Sequence, residues 1–369
     1  MAARSGTLTA LGWFVASRLV IVALGIIGVA TFIDQHTGTV ASAASAFNLE
    51  AVWNKWDAEW YQRIATHGYT YEADTIRGQA AAAYFPLYPL TVRLILSLAP
   101  SLSFFWVATI FSNLATMAAL WLVAREVIDR DDQIGRVMAV MMTSAGSFYL
   151  SIPYTEGLFL LLVVGTIVLT RRRQYEAAGL IAGLAATTRI HGFALVAIPV
   201  FACWLDATAA SRTRWMRTGL TLAAFAIPVA VFLAYEARVL GSPFAFLARQ
   251  EMWNNPSPYP FQAVMGLIEF PRRVSGWIHG ATWVLYVALL VRYWRRLPIG
   301  EVLFCAGVLL ISTQQESFQG IYRYMVPLIP LTLAIARDRD EVRHGVIALN
   351  LILGVLMLLA FVTNNRLTV

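Results

Sequence analysis

Residues 11–33, LGWFVASRLVIVALGIIGVATFI, decide the fold, because the stretch carries a single charge, Arg18, among almost unbroken apolar residues. A helix needs about 20 such residues to cross the hydrocarbon of a bilayer. The run is too long for a signal-peptide core and has no convincing cleavage site, so it is expected to remain as a first transmembrane helix. The rest of the chain has the same character. Of its 369 residues, 59% are hydrophobic and 13% are charged, roughly half the charged share of a soluble domain, and the mean hydropathy is +0.64. Lipid is therefore the solvent this chain is built for.

Further apolar runs lie near residues 104–124, 137–152, 158–170, 176–190, 192–206, 217–238, 277–294, 298–313, 324–337 and 345–363. With the first they give an all-α polytopic protein of about eleven spans, a single membrane domain over residues 1–369. The net charge of +7 makes no basic face interleaved with aromatics, which excludes nucleic acid as a partner. The arginines instead stand between apolar runs, as Arg125/Arg130/Arg136, Arg171/Arg172/Arg173, Arg212/Arg214/Arg217, Arg292/Arg295/Arg296 and Arg337/Arg339/Arg343. A cytoplasmic N-terminus puts all five clusters inside. The expectation is a multi-pass cell-membrane protein with two long extracytoplasmic loops, near residues 34–103 and 240–275. This arrangement treats residues 84–99 as a helix against the outer surface, since a span there would place every later cluster outside. Cys203 and Cys305 lie in apolar runs, where a thiol behaves as a small hydrophobe.

The first loop holds the unusual chemistry. In residues 50–68, EAVWNKWDAEWYQRIATHG, helical spacing puts Trp53, Trp56, Trp60 and Ile64 on one face and Lys55, Glu59 and Gln62 on the other. Tryptophans so arranged suit an interfacial helix anchored at the headgroups. Asp57 projects on the apolar side, between Trp53, Trp60 and Ile64, whereas Glu59 points away. A carboxylate in apolar surroundings without a partner titrates upward, which suits a general base working near neutral pH. The plainer alternative is a helix cap or a pair with Arg63 or a span arginine. Residues 84–89, YFPLYP, make either a rigid aromatic wall or a plain loop-to-helix corner.

Taken together, Trp56-Asp57-Ala58-Glu59, Ile64-Ala65, His67-Gly68-Tyr69 and the Phe85-Pro86-Leu87-Tyr88-Pro89 run resemble the PIG-V type of mannosyltransferase. The resemblance continues in order through Pro153-Tyr154-Thr155-Glu156, Thr188-Arg189-Ile190-His191-Gly192, Pro243-Phe244-Ala245-Phe246-Leu247 with Gln250 and Trp253, and Tyr322-Arg323-Tyr324 before Pro327. It implies a helical bundle of the GT-C glycosyltransferase type. It also implies a polyprenyl-phosphate-linked mannose as donor, an extracytoplasmic glycolipid, glycan or protein as acceptor, and Asp57 as the base of an inverting transfer. No cofactor beyond the lipid co-substrate is implied. The leaving phosphate needs fixed cations, for which Arg189 and Arg323 are the candidates. The other residues carried over as substrate contacts are Trp56, Glu59, Tyr61, His67, Tyr69, Tyr88, Glu156, His191, Gln250 and Tyr324. Each has a plainer role open to it: Arg189 and Glu156 could pair with each other, Glu156 could complement a helix dipole, and His67 and His191 could be structural.

A nucleotide-sugar donor is disfavoured, since no soluble segment could build a nucleotide-binding α/β domain and no glycine-rich phosphate loop is present. The Asp-x-Asp pairs Asp129/Asp131 and Asp338/Asp340 fall on the cytoplasmic side as solvated charge runs, and no obligatory metal is expected. Two competing readings are a lipid-linked-sugar transporter or flippase, which should show paired repeats and broken midplane helices, and a polysaccharide ligase using an undecaprenyl-diphosphate donor.

Overall fold

The computed structural model describes residues 2–69, 81–249, 259–271, 273–315, 317–365 and 367, and among them contains helices and turns but no strand. The N-terminal helix α1 (Ala2–Thr31) leads into the first loop, with α2 (Ala43–Ala46), α3 (Leu49–Trp53), α4 (Asp57–His67) and α5 (Leu87–Leu98). A middle group follows: α6 (Phe104–Leu122), α7 (Ile134–Met142), α8 (Glu156–Arg171), α9 (Tyr175–Ala186), α10 (Ala197–Trp204) and α11 (Ser211–Leu240). After the short α12 (Ala245–Ala248) and α13 (Gln262–Glu269) come α14 (Val274–Tyr293), α15 (Ile299–Ile311), α16 (Ile321–Met325), α17 (Ile329–Ala336) and α18 (Asp340–Val362).

Among the described residues, five helical stretches are long and apolar enough to cross a membrane: Gly6–Thr31, Phe104–Val127, Ser211–Leu240, Val274–Arg296 and Asp340–Val362. Four others are apolar but shorter, Leu87–Leu98, Tyr175–Ala186, Ile190–Trp204 and Ile299–Ile311. The chain is a membrane protein, and Leu19, Ile27, Val231 and Ile352 lie exposed on its long helices as lipid-facing side chains do. Lipid provides no hydrophobic drive between helices, so close packing depends on small residues. On α9, a Cβ at Gly179 or Gly183 would run into the carbonyl oxygens of Thr221 and Phe225 on α11.

Two of the expected helices are interrupted. Within residues 137–152, α7 stops at Met142 and the chain continues through a tight turn at Ser147–Leu150. Within 324–337, α16 and α17 are separate, around Pro327. An interruption at membrane depth frees backbone carbonyls that must find donors within the protein. α6 supplies them: Thr116 Oγ1 donates to the carbonyl of Leu150 at 2.9 Å, Asn113 Nδ2 to that of Ser151 at 2.8 Å, and Ser112 Oγ to that of Tyr154 at 3.1 Å. Arg18, the one charge of the first apolar run, donates to the hydroxyl of Ser151 in the same segment.

The continuous helix expected over residues 50–68 is likewise two. α3 ends at Trp53, capped by Asn54, and α4 begins at Asp57. Trp53 and Trp60 are buried within the protein at 4% exposure each, so neither anchors a headgroup layer. Trp53 stacks on Phe361 of α18, and Trp60 on Tyr84. Lys55, expected on the wetted face, turns inward to the carbonyl of Val362.

Candidate active site

Asp57 is the first residue of α4 and follows Trp56, whose backbone stands at φ 59°, ψ −120°. That positive φ is rare for a residue with a side chain. It turns the chain sharply between α3 and α4 and points Asp57 away from the ladder of its own helix. The carboxylate is partnered on both oxygens. Oδ1 accepts the Tyr84 hydroxyl at 3.1 Å, and Oδ2 accepts an Nη1–H of Arg323 at 2.6 Å. Burial, followed by the charge of Asp57, lifts the Tyr84 phenol well above its ordinary range, so it remains a donor.

Arg323, on α16, joins Asp57 to a second carboxylate: its Nε donates to Glu156 Oε1. Glu156 opens α8, where a negative charge complements the helix dipole. The same oxygen also accepts from Arg189, whose Nη1 further reaches the Thr155 hydroxyl at 3.3 Å. Two guanidiniums and two carboxylates thus form a chain, Asp57–Arg323–Glu156–Arg189, whose formal charge is zero. Side-chain exposure is 24% at Asp57, 13% at Arg323, 2% at Glu156 and 10% at Arg189. Glu156 is the floor of the cluster and Asp57 its accessible rim.

Aromatic rings enclose the cluster. The Arg323 guanidinium lies 4.9 Å from the ring centres of both Tyr149 and Tyr154, and that of Arg189 lies 5.2 Å from Tyr324. Tyr61 meets Tyr84, Tyr88 and Tyr154 edge-on. His191 packs its ring 4.2 Å from that of Tyr324. Both of its nitrogens are buried with no hydrogen-bond partner among the described residues, so at least one imidazole donor or acceptor is unspent. Three glycines let the backbones close around the cluster. A Cβ at Gly146 would strike the Tyr322 carbonyl beside Arg323, one at Gly157 the Ser112 carbonyl beside Glu156, and one at Gly192 the Ala185 carbonyl beside His191.

Of the residues singled out in the sequence, the fold gathers Asp57, Tyr61, Glu156, Arg189, His191, Arg323 and Tyr324. Tyr88 supports them from behind, fully buried and bonded to Ser112 at 2.9 Å. Tyr69 also packs behind the wall, donating to the Tyr84 carbonyl at 2.7 Å. Trp56 is the pivot of the turn and packs against the core. Glu59 and His67 are exposed, and His67 bonds its neighbour Thr66. Gln250 and Trp253 lie outside the described residues. Asp338 is buried rather than solvated, because it accepts hydrogen bonds from Arg292 and Tyr293. No group of three His, Cys, Asp or Glu that could hold a metal occurs among the described residues.

Tyr84, Tyr149 and Tyr154 were not singled out as site residues. Tyr154 had a signal, two positions before Glu156 in a motif already noted. Tyr149 had none, since only the turn at Ser147–Leu150 brings it to Arg323.

A family model described as Mannosyltransferase (PIG-V) matches residues 9–252. No curated protein and no solved structure matches the chain. The matched region contains Asp57, Glu156 and Arg189, whereas Arg323 lies beyond it and is brought into the cluster by the fold alone.

Proposed function

Because the chain belongs to the PIG-V mannosyltransferase family, we propose that it takes mannose from a polyprenyl-phosphate carrier and passes it to a hydroxyl of an extracytoplasmic glycolipid, glycan or protein. Asp57 is the base in this reading. The acceptor oxygen bonds to the anomeric carbon as the bond from that carbon to the phosphate oxygen breaks. The acceptor proton goes to Asp57, and the electron pair leaves with the lipid phosphate. Attack opposite the phosphate inverts a β-linked donor to an α-mannoside. The leaving group is a stable phosphate anion and needs no strong acid, only fixed positive charge in a poorly hydrated site.

The observation that carries this reading is the Asp57–Arg323 pair at 2.6 Å, at the more open end of a cluster centred on the buried Glu156. A guanidinium that already holds the base is also the nearest cation for an arriving phosphate. When the phosphate takes a share of Arg323, Asp57 is left with the Tyr84 hydroxyl and a free lone pair for the acceptor proton. Arg189 and the unspent nitrogens of His191 stand behind as further phosphate or sugar contacts. In this reading the loops face the extracytoplasmic side, as the positions of the arginine clusters favour, within a GT-C-type bundle of about eleven passes to which the shorter apolar helices Tyr175–Ala186, Ile190–Trp204 and Ile299–Ile311 contribute.

The test is reconstitution. Purified protein in lipid nanodiscs is given polyprenyl-phosphate [14C]mannose, with membranes of a strain lacking the gene as acceptor. Label should enter glycolipid or glycan from the lipid donor. Transfer from GDP-[14C]mannose alone, or flipping of the lipid without transfer, would overturn the proposal.

A further inference from the structure

The turn that delivers Asp57 is held from the far end of the chain. Trp56 keeps its positive φ directly before the carboxylate, and a non-glycine residue holds such a conformation only where its surroundings impose it. The surroundings act on its neighbour. The carbonyl of Lys55 accepts the Tyr154 hydroxyl at 3.0 Å. The ammonium of Lys55 donates to the carbonyl of Val362 at 2.6 Å and lies 3.7 Å from Asp34 Oδ2. Asp34 in turn accepts Asn364 Nδ2 at 2.7 Å on that oxygen, and the amides of His36 and Thr37 on the other. Val362 is the last residue of α18, where helix carbonyls have no intrahelical donor, so the half-buried ammonium of Lys55 satisfies one of them. Phe361, one residue earlier, packs on Trp53, Tyr149 and Tyr154, the last two being the rings that flank Arg323.

We propose that Lys55 is a positioning residue for the transfer reaction: clamped between the C-terminal end of α18 and Asp34, it holds the strained Trp56 turn and thereby sets the reach of Asp57 toward the acceptor hydroxyl. The end of the last helix is then part of the active site, although it lies beyond the region the family model matches. Lys55 itself touches no substrate. It is 14% exposed, and its ammonium points away from the arginine cluster to α18. Without it, Trp56 relaxes toward ordinary φ and Asp57 leaves its place between Tyr84 and Arg323. This inference rests on Asp57 as the base.

The experiment measures kcat, the KM for polyprenyl-phosphate mannose and the thermal midpoint of Lys55→Met and Lys55→Arg in nanodiscs, beside Asp57→Asn. Misplacing a catalytic group by about 1 Å costs about 100-fold, so Lys55→Met should lower kcat by 10- to 100-fold, about 1.4–2.7 kcal/mol of barrier. The donor KM should stay within about threefold, since Arg189 and Arg323 are untouched. Lys55→Arg, which can still reach the Val362 carbonyl, should recover most of the rate. A wild-type kcat in Lys55→Met overturns the clamp. So does a loss that Lys55→Arg does not recover and that lowers the midpoint and donor affinity together, since that marks a fold brace. If Lys55→Met fails to fold, Asn364→Ala approaches the clamp from α18 and should lower kcat about 3- to 10-fold at unchanged KM; an unchanged kcat there overturns the proposal as well. Activity surviving in Asp57→Asn refutes the base itself, a separate failure.

Discussion

Asp57→Asn separates what the carboxylate does for the reaction from what it does for the fold. The side chain keeps its size and one oxygen, while its two partners, the Tyr84 hydroxyl at 3.1 Å and Arg323 Nη1 at 2.6 Å, both seek an acceptor. One of them must give way to the amide NH2. A hydrogen bond to a charged group is worth about 1.5–3 kcal/mol, and a carboxylate one-quarter exposed belongs at the lower end of that range. The fold should therefore survive with a modest loss of stability, because Arg323 retains Glu156. The chemical loss is larger. General-base catalysis contributes about 100- to 10,000-fold, which is roughly 3–5.5 kcal/mol of barrier. Initial rates of mannose transfer at saturating donor, with thermal unfolding of the same nanodisc samples, should show kcat down by that factor at nearly unchanged midpoint and donor KM. A kcat within about threefold of wild type would refute Asp57 as base. Collapse of midpoint, KM and kcat together would instead make Asp57 a strut for Arg323.

Arg323→Lys keeps a charge but not the fork that spans Asp57 and Glu156, so kcat should fall about 100-fold, the effect of losing one preorganised donor; Arg323→Gln should also lower the thermal midpoint, since Asp57 loses its cation and Glu156 keeps Arg189 alone. Chelation with EDTA should leave the transfer rate unchanged, since the phosphate charge is met by guanidiniums, and a rate restored only by added Mg2+ or Mn2+ contradicts this. Burial alone would raise the pKa of Asp34, but the Thr37 and His36 amides, the Asn364 side chain and Lys55 outweigh it and hold it below the usual carboxylate range. Its stabilising contribution is complete above pH of about 4 and is lost as pH falls through the lowered folded value. Acid unfolding should accordingly depend less steeply on pH below that point in Asp34→Asn, and an unchanged slope would show that the clamp does not couple to folding.

How much of this was legible in the sequence follows from the physics of each signal. Asp57 could be separated from Glu59 because two positions along any helix turn a side chain by about 200°, wherever the helix begins. Its partner could not, as Arg323 is 266 residues away and no local pattern joins them. The tryptophans were read as headgroup anchors because an apolar stripe reports only that something apolar covers it. In a membrane protein both lipid and protein meet that description, and here Phe361 and Tyr84 are the cover. Lys55 failed in the opposite sense: a lysine on a polar face reads as solvated, and only the free carbonyl at the end of α18 gives it reason to turn inward. The possible Arg189–Glu156 pair was visible as an alternative because both lie near the same ends of apolar runs.

Hydropathy also measured the length of apolar runs without revealing where the helix inside them stops. The two interrupted segments show why those stops matter. A continuous helix satisfies its own backbone, whereas a break at membrane depth requires donors from elsewhere, here Ser112, Asn113 and Thr116. That expense brings an advantage: the turn through residues 147–150 carries Tyr149 and leads to Tyr154 and Glu156, and the break before α17 leaves Arg323 on a helix of five residues, facing them. Unbroken helices through 137–152 and 324–337 would distribute these side chains around two cylinders rather than gather them on one side. The polar residues of α6 are thus the counterpart of the charged cluster that these turns assemble beside them.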